Sequence, residues 1–529
     1  MLNSLSGSEQ STILSKRDHK MRHLAKCRNG LLAALLGAAL IAGAPLRAAE
    51  PPKLADAAAK QDKAALRALL RDKADVNAPQ ADGATALHWA VHWDDLESAD
   101  LLIRAGANVN VKNDYTATPL SLACTNGNAA MVERLLSAGA NPNAPAASGE
   151  TPLMRCARTG SAAAVKSLLT RKADVSARDN EQGQTALMWA VAQKHPAVTE
   201  ALIQGGADIR ARSKGGFTPL LFAARVGDVE SAKLLFAAGA DVNETAPNGM
   251  TPLLLASASG QESLGIFLLD KGADPNARDT LGATALHYAV MKGITSLNEV
   301  RYANYVEHLF RPSLDGLVKA LLAHKANPNL QIEKPVPLGG SRSRHVIGAT
   351  PFLLAAASPD PSVMRMLVST GADPKVKTKD GLTALMLAAG VARGQDFTDP
   401  EKAISLDAVR IAFDAGTDVN AVNEDGLTAM HGAAANGANG VVQFLAQKGA
   451  KLEVRDKYQQ TPLSIAAGER LPWIPDGDEL GEIIQPSTRD LLLKLGATPI
   501  STPGYFKPPA EDSDVYRINR GVRGLGAAK

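Results

Sequence analysis

A recurring threonine decides what this chain can fold into. Thr85, Thr118, Thr151, Thr185, Thr218, Thr251 and Thr284 stand 33, 33, 34, 33, 33 and 33 residues apart, and Thr350, Thr383, Thr428 and Thr461 continue at steps of 66, 33, 45 and 33. The surroundings repeat with it, as in residues 82–110, DGATALHWAVHWDDLESADLLIRAGANVN, and residues 215–243, GGFTPLLFAARVGDVESAKLLFAAGADVN. A period of this length marks a solenoid, in which each unit buries its apolar face only by stacking on its neighbours.

The slots within the unit have physical reasons. Threonine is a helix N-cap, and proline follows it at Pro119, Pro152, Pro219, Pro252, Pro351 and Pro462, where the first helical position tolerates a missing N–H. A leucine two residues on and small residues five and six on form the stripe of a short first helix. A second helix ends in a bulky pair: Leu102-Ile103, Leu135-Leu136, Leu168-Leu169, Leu202-Ile203, Leu235-Phe236, Leu268-Leu269 and Leu367-Val368. Glycine then stands where a helix ends left-handed, at Gly106, Gly139, Gly206, Gly239, Gly272 and Gly371, replaced by Lys172 and, by alignment, Lys73 and Lys325. An Ala-Asp/Asn-x-Asn stretch begins the finger to the next unit.

The unit closely resembles the ankyrin repeat. The resemblance covers residues 53–498, about twelve units, with Lys53 to Asn77 as an N-terminal cap whose Lys53, Asp56, Lys60, Asp62 and Lys63 supply a polar outer face. It implies an all-α solenoid of helix-turn-helix units joined by β-hairpins. It also implies a structural role for His88, His287 and His431, three residues after the N-cap threonine, where the ring steadies the hairpin. Insertions are expected near 293–316, 395–405 and 471–486, between the two helices of a unit, and at 330–348 in a hairpin. They carry Tyr302, Tyr305, Phe310, Phe397 and Trp473, and are expected to cluster on one edge.

Composition bounds the ends of the chain. Residues 1–48 hold seven Lys or Arg against Glu9 and Asp18, leaving 50 basic and 52 acidic residues in the other part of the 529-residue chain. A body so nearly neutral lacks the field of a nucleic-acid binder. The N-terminal charges precede Leu31 to Ala44, 14 uncharged residues ending at Pro45. That run is shorter than the roughly 17 residues a membrane span needs and reads as a secretory signal in residues 1–48, with Met1 or Met21 as the start. No membrane span is expected after its removal, and the location is periplasmic or secreted. The proline-bearing tail, residues 499–529, is expected to be disordered.

The chain shows no motif for catalysis, cofactor or metal binding. Glu299, Glu307, His308, Arg342, Arg344 and His345 are the local candidates for a site built in the insertions, and their spacing matches no ligand set. Cys124 and Cys156 fall in the small-residue stripes of adjacent first helices. With helix axes about 10 Å apart they are expected to be two buried free thiols. Asn243-Glu244-Thr245 is a glycosylation sequon of a kind that chance supplies.

The function expected is that of an exported, non-catalytic scaffold binding a partner protein, not nucleic acid, through its concave face. The alternatives are an enzyme with its site in the insertions and a structural surface protein without a specific partner. The candidate surface lies on the uninterrupted repeats. Residues seven and eight after the threonine, and those just before the hairpin glycine or the threonine, are His92, Trp93, Tyr115, Asn126, Glu150, Arg158, Gln193, Phe217, Arg225, Met250, Met291 and Lys292. Trp93 leads this set. Trp89 and Trp189, four after the threonine, are expected to pack between repeats.

Overall fold

The computed structural model describes residues 54–298, 314–334, 347–391, 398–468 and 485–500, with side chains described to Met291 in the first stretch. The proposed signal segment, the tail beyond residue 500, and the insertion residues Glu299, Tyr302, Tyr305, Glu307, His308, Phe310, Arg342, Arg344, His345, Phe397 and Trp473 lie outside the described residues.

Among the described residues there are 24 helices in twelve pairs, matching the number of units expected. First helices such as Pro119–Asn126 and Pro152–Thr159 pack on one another, and second helices such as Ala129–Ser137 and Ala162–Thr170 form a parallel layer behind them. The threonine caps the first helix as its chemistry dictates. Thr118 Oγ1 accepts from Ser121 N–H at 3.1 Å, Thr151 from Met154 at 3.3 Å and Thr218 from Leu221 at 3.3 Å.

The core runs the length of the stack. Leu87, Leu120, Leu153, Leu187, Leu220, Leu253 and Leu286, two after each threonine, are buried. So is the first member of every bulky pair, while Ile103, Leu169, Ile203, Phe236 and Val368 are half-buried on the outer side. Each solvent-shielded leucine is worth about 1.5–3 kcal/mol, so cohesion between units comes chiefly from this row. Glycine after the second helix takes a positive φ, as at Gly106 with +90°, and Lys73, Lys172 and Lys325 adopt the same region at 58°, 61° and 67°. The chain geometry overrides side-chain preference there.

Three expectations need correction. The fingers between units are hydrogen-bonded turns, and no strand occurs among the described residues. Each finger closes with one or two backbone bonds, such as Ser213 N–H to Phe217 C=O at 2.9 Å, and meets its neighbour through another, Lys214 N–H to Gln182 C=O at 2.8 Å. So few successive bonds make no ladder.

The second correction concerns the segments 293–316 and 395–405, placed by the sequence between the two helices of a unit, whose described residues 293–298 and 399–405 lengthen helices. The first helix of the Thr284 unit runs from Ala285 to Asn298, 14 residues, and the second helix of the Thr383 unit from Asp399 to Asp414, 16 residues, against nine in most second helices. Thr398 and Glu401 form a capping box that starts the longer helix early.

The third concerns the cysteines. Cys124 and Cys156 are joined by a disulfide, with Cα atoms 4.6 Å apart. Two average helices keep their axes about 10 Å apart, but that spacing says little where the facing residues are small. Ala123, Cys124, Cys156 and Ala157 are fully buried and let the backbones approach closely.

A polar ladder binds the fingers. Asn77, Asn110, Asn143, Asn243, Asn276, Asn329 and Asn420 each accept from a backbone N–H of the next unit and donate to the carbonyl ending that unit's second helix. For Asn243 the distances are 2.9 Å from Asp274 N–H and 3.3 Å to the Gly272 oxygen, so the sequon's amide is already engaged. The cap joins in similarly: Lys63 pairs with Asp95 and Glu97 of the following unit, both at 3.1 Å.

Candidate functional site

The inner face is built from the first helices and the fingers. Side chains four residues after the threonine form a row along it: Trp89, Leu122, Arg155, Trp189, Phe222, Leu255 and Tyr288. Phe222 is buried and the others are half-buried. The tips of Trp89 and Tyr288 point to the fingers. Trp89 Nε1–H donates to Gln80 Oε1 at 2.7 Å, and Tyr288 O–H donates to Asp279 Oδ2 at 2.5 Å. Burial, with the Asp279 carboxylate beside it, pushes the Tyr288 hydroxyl well above the usual phenol range. The period of 33 residues places these side chains on successive helices at the same height.

The expected surface residues fall into three groups. Glu150, Arg158, Phe217 and Arg225 come together around this row. Glu150 pairs with Arg155 at 3.1 Å and with Arg158 at 3.4 Å, while the Arg158 guanidinium lies 5.6 Å over the Trp189 ring. Phe217 and Phe222 are 6.0 Å apart, and Arg225 lies 4.9 Å over Phe222. Tyr115 stands alone on a finger, 78% exposed.

A second group sits at the turn between the two helices. Trp93 is 43% exposed, but its indole N–H donates to the Ala59 carbonyl of the cap at 3.2 Å, and His92 packs edge-on against it at 4.7 Å. Asn126 Nδ2 donates to the Val91 carbonyl at 2.9 Å and to Asp94 at 3.1 Å, closing the end of the preceding first helix. Thr159 repeats this with the Cys124 carbonyl at 2.9 Å. The position eight after the threonine therefore staples a unit to the one before it. Gln193 is exposed at the same turn.

The third group offers no surface. Met250 and Met291 are 8% and 2% exposed and belong to the core. Their flexible thioethers fill space between stacked units, which an offset from the threonine does not reveal. Lys292 lies on the lengthened helix, its side chain outside the described residues.

Arg155 and Phe222, missing from the sequence-derived set, and Trp189, assigned there to packing, are central to the inner face. The available signal was the recurrence of large side chains four after the threonine.

The three histidines do what the resemblance implies. His287 Nδ1 accepts the Thr284 N–H at 3.1 Å and contacts Thr284 Oγ1 at 2.8 Å, while Nε2 faces the Ala349 carbonyl of the next unit at 3.3 Å. His431 bridges Thr428 to Gln460 and His88 bridges Thr85 to Ala117 in the same way. Burial lowers both His287 and His431 to about 4, and lowers His88. Among the described residues, no three His, Cys, Asp or Glu side chains converge as a metal site. No described helix is long and apolar enough to cross a membrane.

A family model of ankyrin repeats in three copies matches residues 35–113, 54–146, 107–179, 153–246, 220–310 and 402–474, which together cover more than half of the chain. The chain belongs to the ankyrin-repeat family. Two curated relatives are similar over part of the array. One is ankyrin repeat and SOCS box protein 16 of Mus musculus, 32% identical over 117 residues, or 22% of this chain and 25% of that protein. The other is B-cell lymphoma 3 protein of Homo sapiens, 35% identical over 116 residues, or 22% and 24%. The ankyrin chain thus spans about a quarter of the length of these relatives. Ankyrin repeats generally serve as non-catalytic scaffolds for protein partners, and the inner face is where this array sets arginine side chains against aromatic rings.

Proposed function

We propose that this chain is an exported, non-enzymatic scaffold that takes a protein partner on the concave face of its uninterrupted repeats, from the Thr85 to the Thr284 unit. The observation that carries this reading is the row of rings and arginines on the inner face, with Trp189 under Arg158 and Phe222 under Arg225. Trp, Tyr and Arg dominate binding hot spots because they cover much area with few freely rotating bonds. Export, to the periplasm or beyond the cell, is supported by the charged segment and 14-residue apolar run at the N-terminus and by the Cys124–Cys156 disulfide. Disulfides persist chiefly in oxidising compartments.

The test is photo-crosslinking in the native host. A photoreactive phenylalanine analogue at Tyr115 or Phe217 is expected to trap a partner, and the same analogue at Phe236 or Phe267 on the outer helices is not. Crosslinks confined to the outer positions refute concave-face binding. Cell fractionation checks export separately, since recovery of the full-length chain with reduced cysteines in the cytosol refutes it.

A further inference from the structure

The inner face is not uniform. Around the Thr151 and Thr185 units it holds two buried donors that the chain itself leaves without hydrogen-bond partners, Arg155 Nε and Trp189 Nε1. The equivalent ring atoms elsewhere in the row are satisfied, Trp89 by Gln80 and Tyr288 by Asp279. At the Thr185 unit the finger carboxylate is occupied, because Asp179 accepts the N–H groups of Gln182, Gly183 and Gln184 at 2.7–3.1 Å. Buried donors are normally paired, so two together mark a section with hydrogen bonds still to make.

The charges here are also unbalanced. Asp179 is taken up by finger N–H groups and Glu244 by the Thr218 hydroxyl, so Arg155, Arg158 and Arg225 have one carboxylate in contact, Glu150, which is shared between the first two. Arg225 is backed by Phe222, and partial desolvation there works against its charge. The nearby finger cations are committed: Arg178 and Arg212 donate to finger carbonyls, and Lys214 to the Asn180 carbonyl at 2.6 Å. Two guanidiniums are thus held against aromatic rings, one sharing an acid and one with no acid in contact.

Resting on the concave-face reading above, we infer that this section, Arg155, Arg158, Trp189, Phe222 and Arg225, binds an extended peptide segment of the partner that carries acidic side chains. A carboxylate meets a stacked guanidinium through two parallel N–H···O bonds, and the aromatic ring behind keeps the guanidinium flat and partly desolvated. Three stacked units span roughly 20 Å between the outer two, which about six extended residues cover. The backbone of such a segment supplies acceptors to the unpaired donors of a face rich in arginine. A carboxylate that engages Arg158 also relieves its sharing of Glu150 with Arg155.

The experiment pans a phage-displayed library of random octapeptides over the full chain. Fluorescence anisotropy of labelled synthetic copies of the enriched peptides then reads affinity. The expected result is enrichment of Asp and Glu, with binding weakened at least about tenfold by R158Q/R225Q and by raised salt, and weakened less by R158K/R225K. Circular dichroism melts show whether the variants remain folded. Should R158Q/R225Q melt early, competition by glutamine-for-glutamate copies of the peptides against wild type reads the same contact, and equal affinity overturns it. Acid-poor peptides that lose binding in Y115A/F217A but not in R158Q/R225Q overturn the acidic segment and leave concave-face binding standing. Peptides that crosslink only to the outer helices overturn both, and a library yielding no enriched peptide overturns the acidic segment.

Discussion

Acidification to pH 5 tests the histidine bridges between repeats. In His287 and His431, Nδ1 must be unprotonated to accept the threonine N–H, and Nε2–H then donates to the next unit's carbonyl. Protonation places a donor against a donor in a site closed to water. Burial holds both folded values at about 4, against 6.5 in the open chain. The unfolded state therefore binds more protons between pH 6.5 and 4, so stability falls as pH drops through that window and is fully present above it.

For one group shifted this far, the loss by pH 5 is about 2 kcal/mol, and the limit below pH 4 is about 3 kcal/mol. Urea unfolding followed by far-ultraviolet circular dichroism at pH 7.5 and pH 5 measures it, using H287Q/H431Q as the reference. Glutamine in this position keeps the capping box without an ionisable ring. The carboxyls of Glu244, Asp360 and Asp456, raised by burial, act with the opposite sign and are common to both chains, so they cancel in the difference. The wild type is expected to lose about 4 kcal/mol more than the variant if both regions unfold together. An equal loss in the two chains sinks the reasoning.

Thiol titration of denatured, unreduced protein is expected to find Cys124 and Cys156 unreactive, and reduction followed by alkylation to expose both. With the cysteines 32 positions apart in sequence, C124A/C156A is expected to cost roughly 3–4 kcal/mol in the units the bond joins, read by urea unfolding against the oxidised chain. Asn243→Ala removes two bonds that join neighbouring fingers and is expected to lower stability by about 2 kcal/mol, with hydrogen exchange quickening first around Gly272 and Asp274. Lys172→Gly and Lys325→Gly relieve left-handed backbone at φ 61° and 67°, and each is expected to raise the melting midpoint, by about 1 kcal/mol of stability.

The repeat, its two helices, the threonine caps and the left-handed lysines were legible in the sequence, and the structural role of the histidines came through the resemblance to the ankyrin repeat. Each depends on contacts within one unit or at a fixed offset to the next, and the 33-residue period carries that offset to every copy. What the period could not supply was the distance between copies. The Cys124–Cys156 bond depends on how closely two alanine-lined helices approach, and an average helix diameter overstated that spacing. The ladder of Asn77, Asn110 and Asn143 needed the relative height of adjacent fingers before its residues had partners.

The candidate site divides in the same way. Glu150, Arg158, Phe217 and Arg225 were found from their offsets because they face outward from their own unit. Trp93 and Asn126 share an outward offset but reach back to the unit before, and Met250 and Met291 turn into the stack. Whether a side chain at a given offset meets solvent or a neighbour depends on the rotation and rise between units, which only stacking determines. Local chemistry thus wrote the repeat into the sequence, while the close packing of one repeat on the next decided which side chains were left to bind anything else.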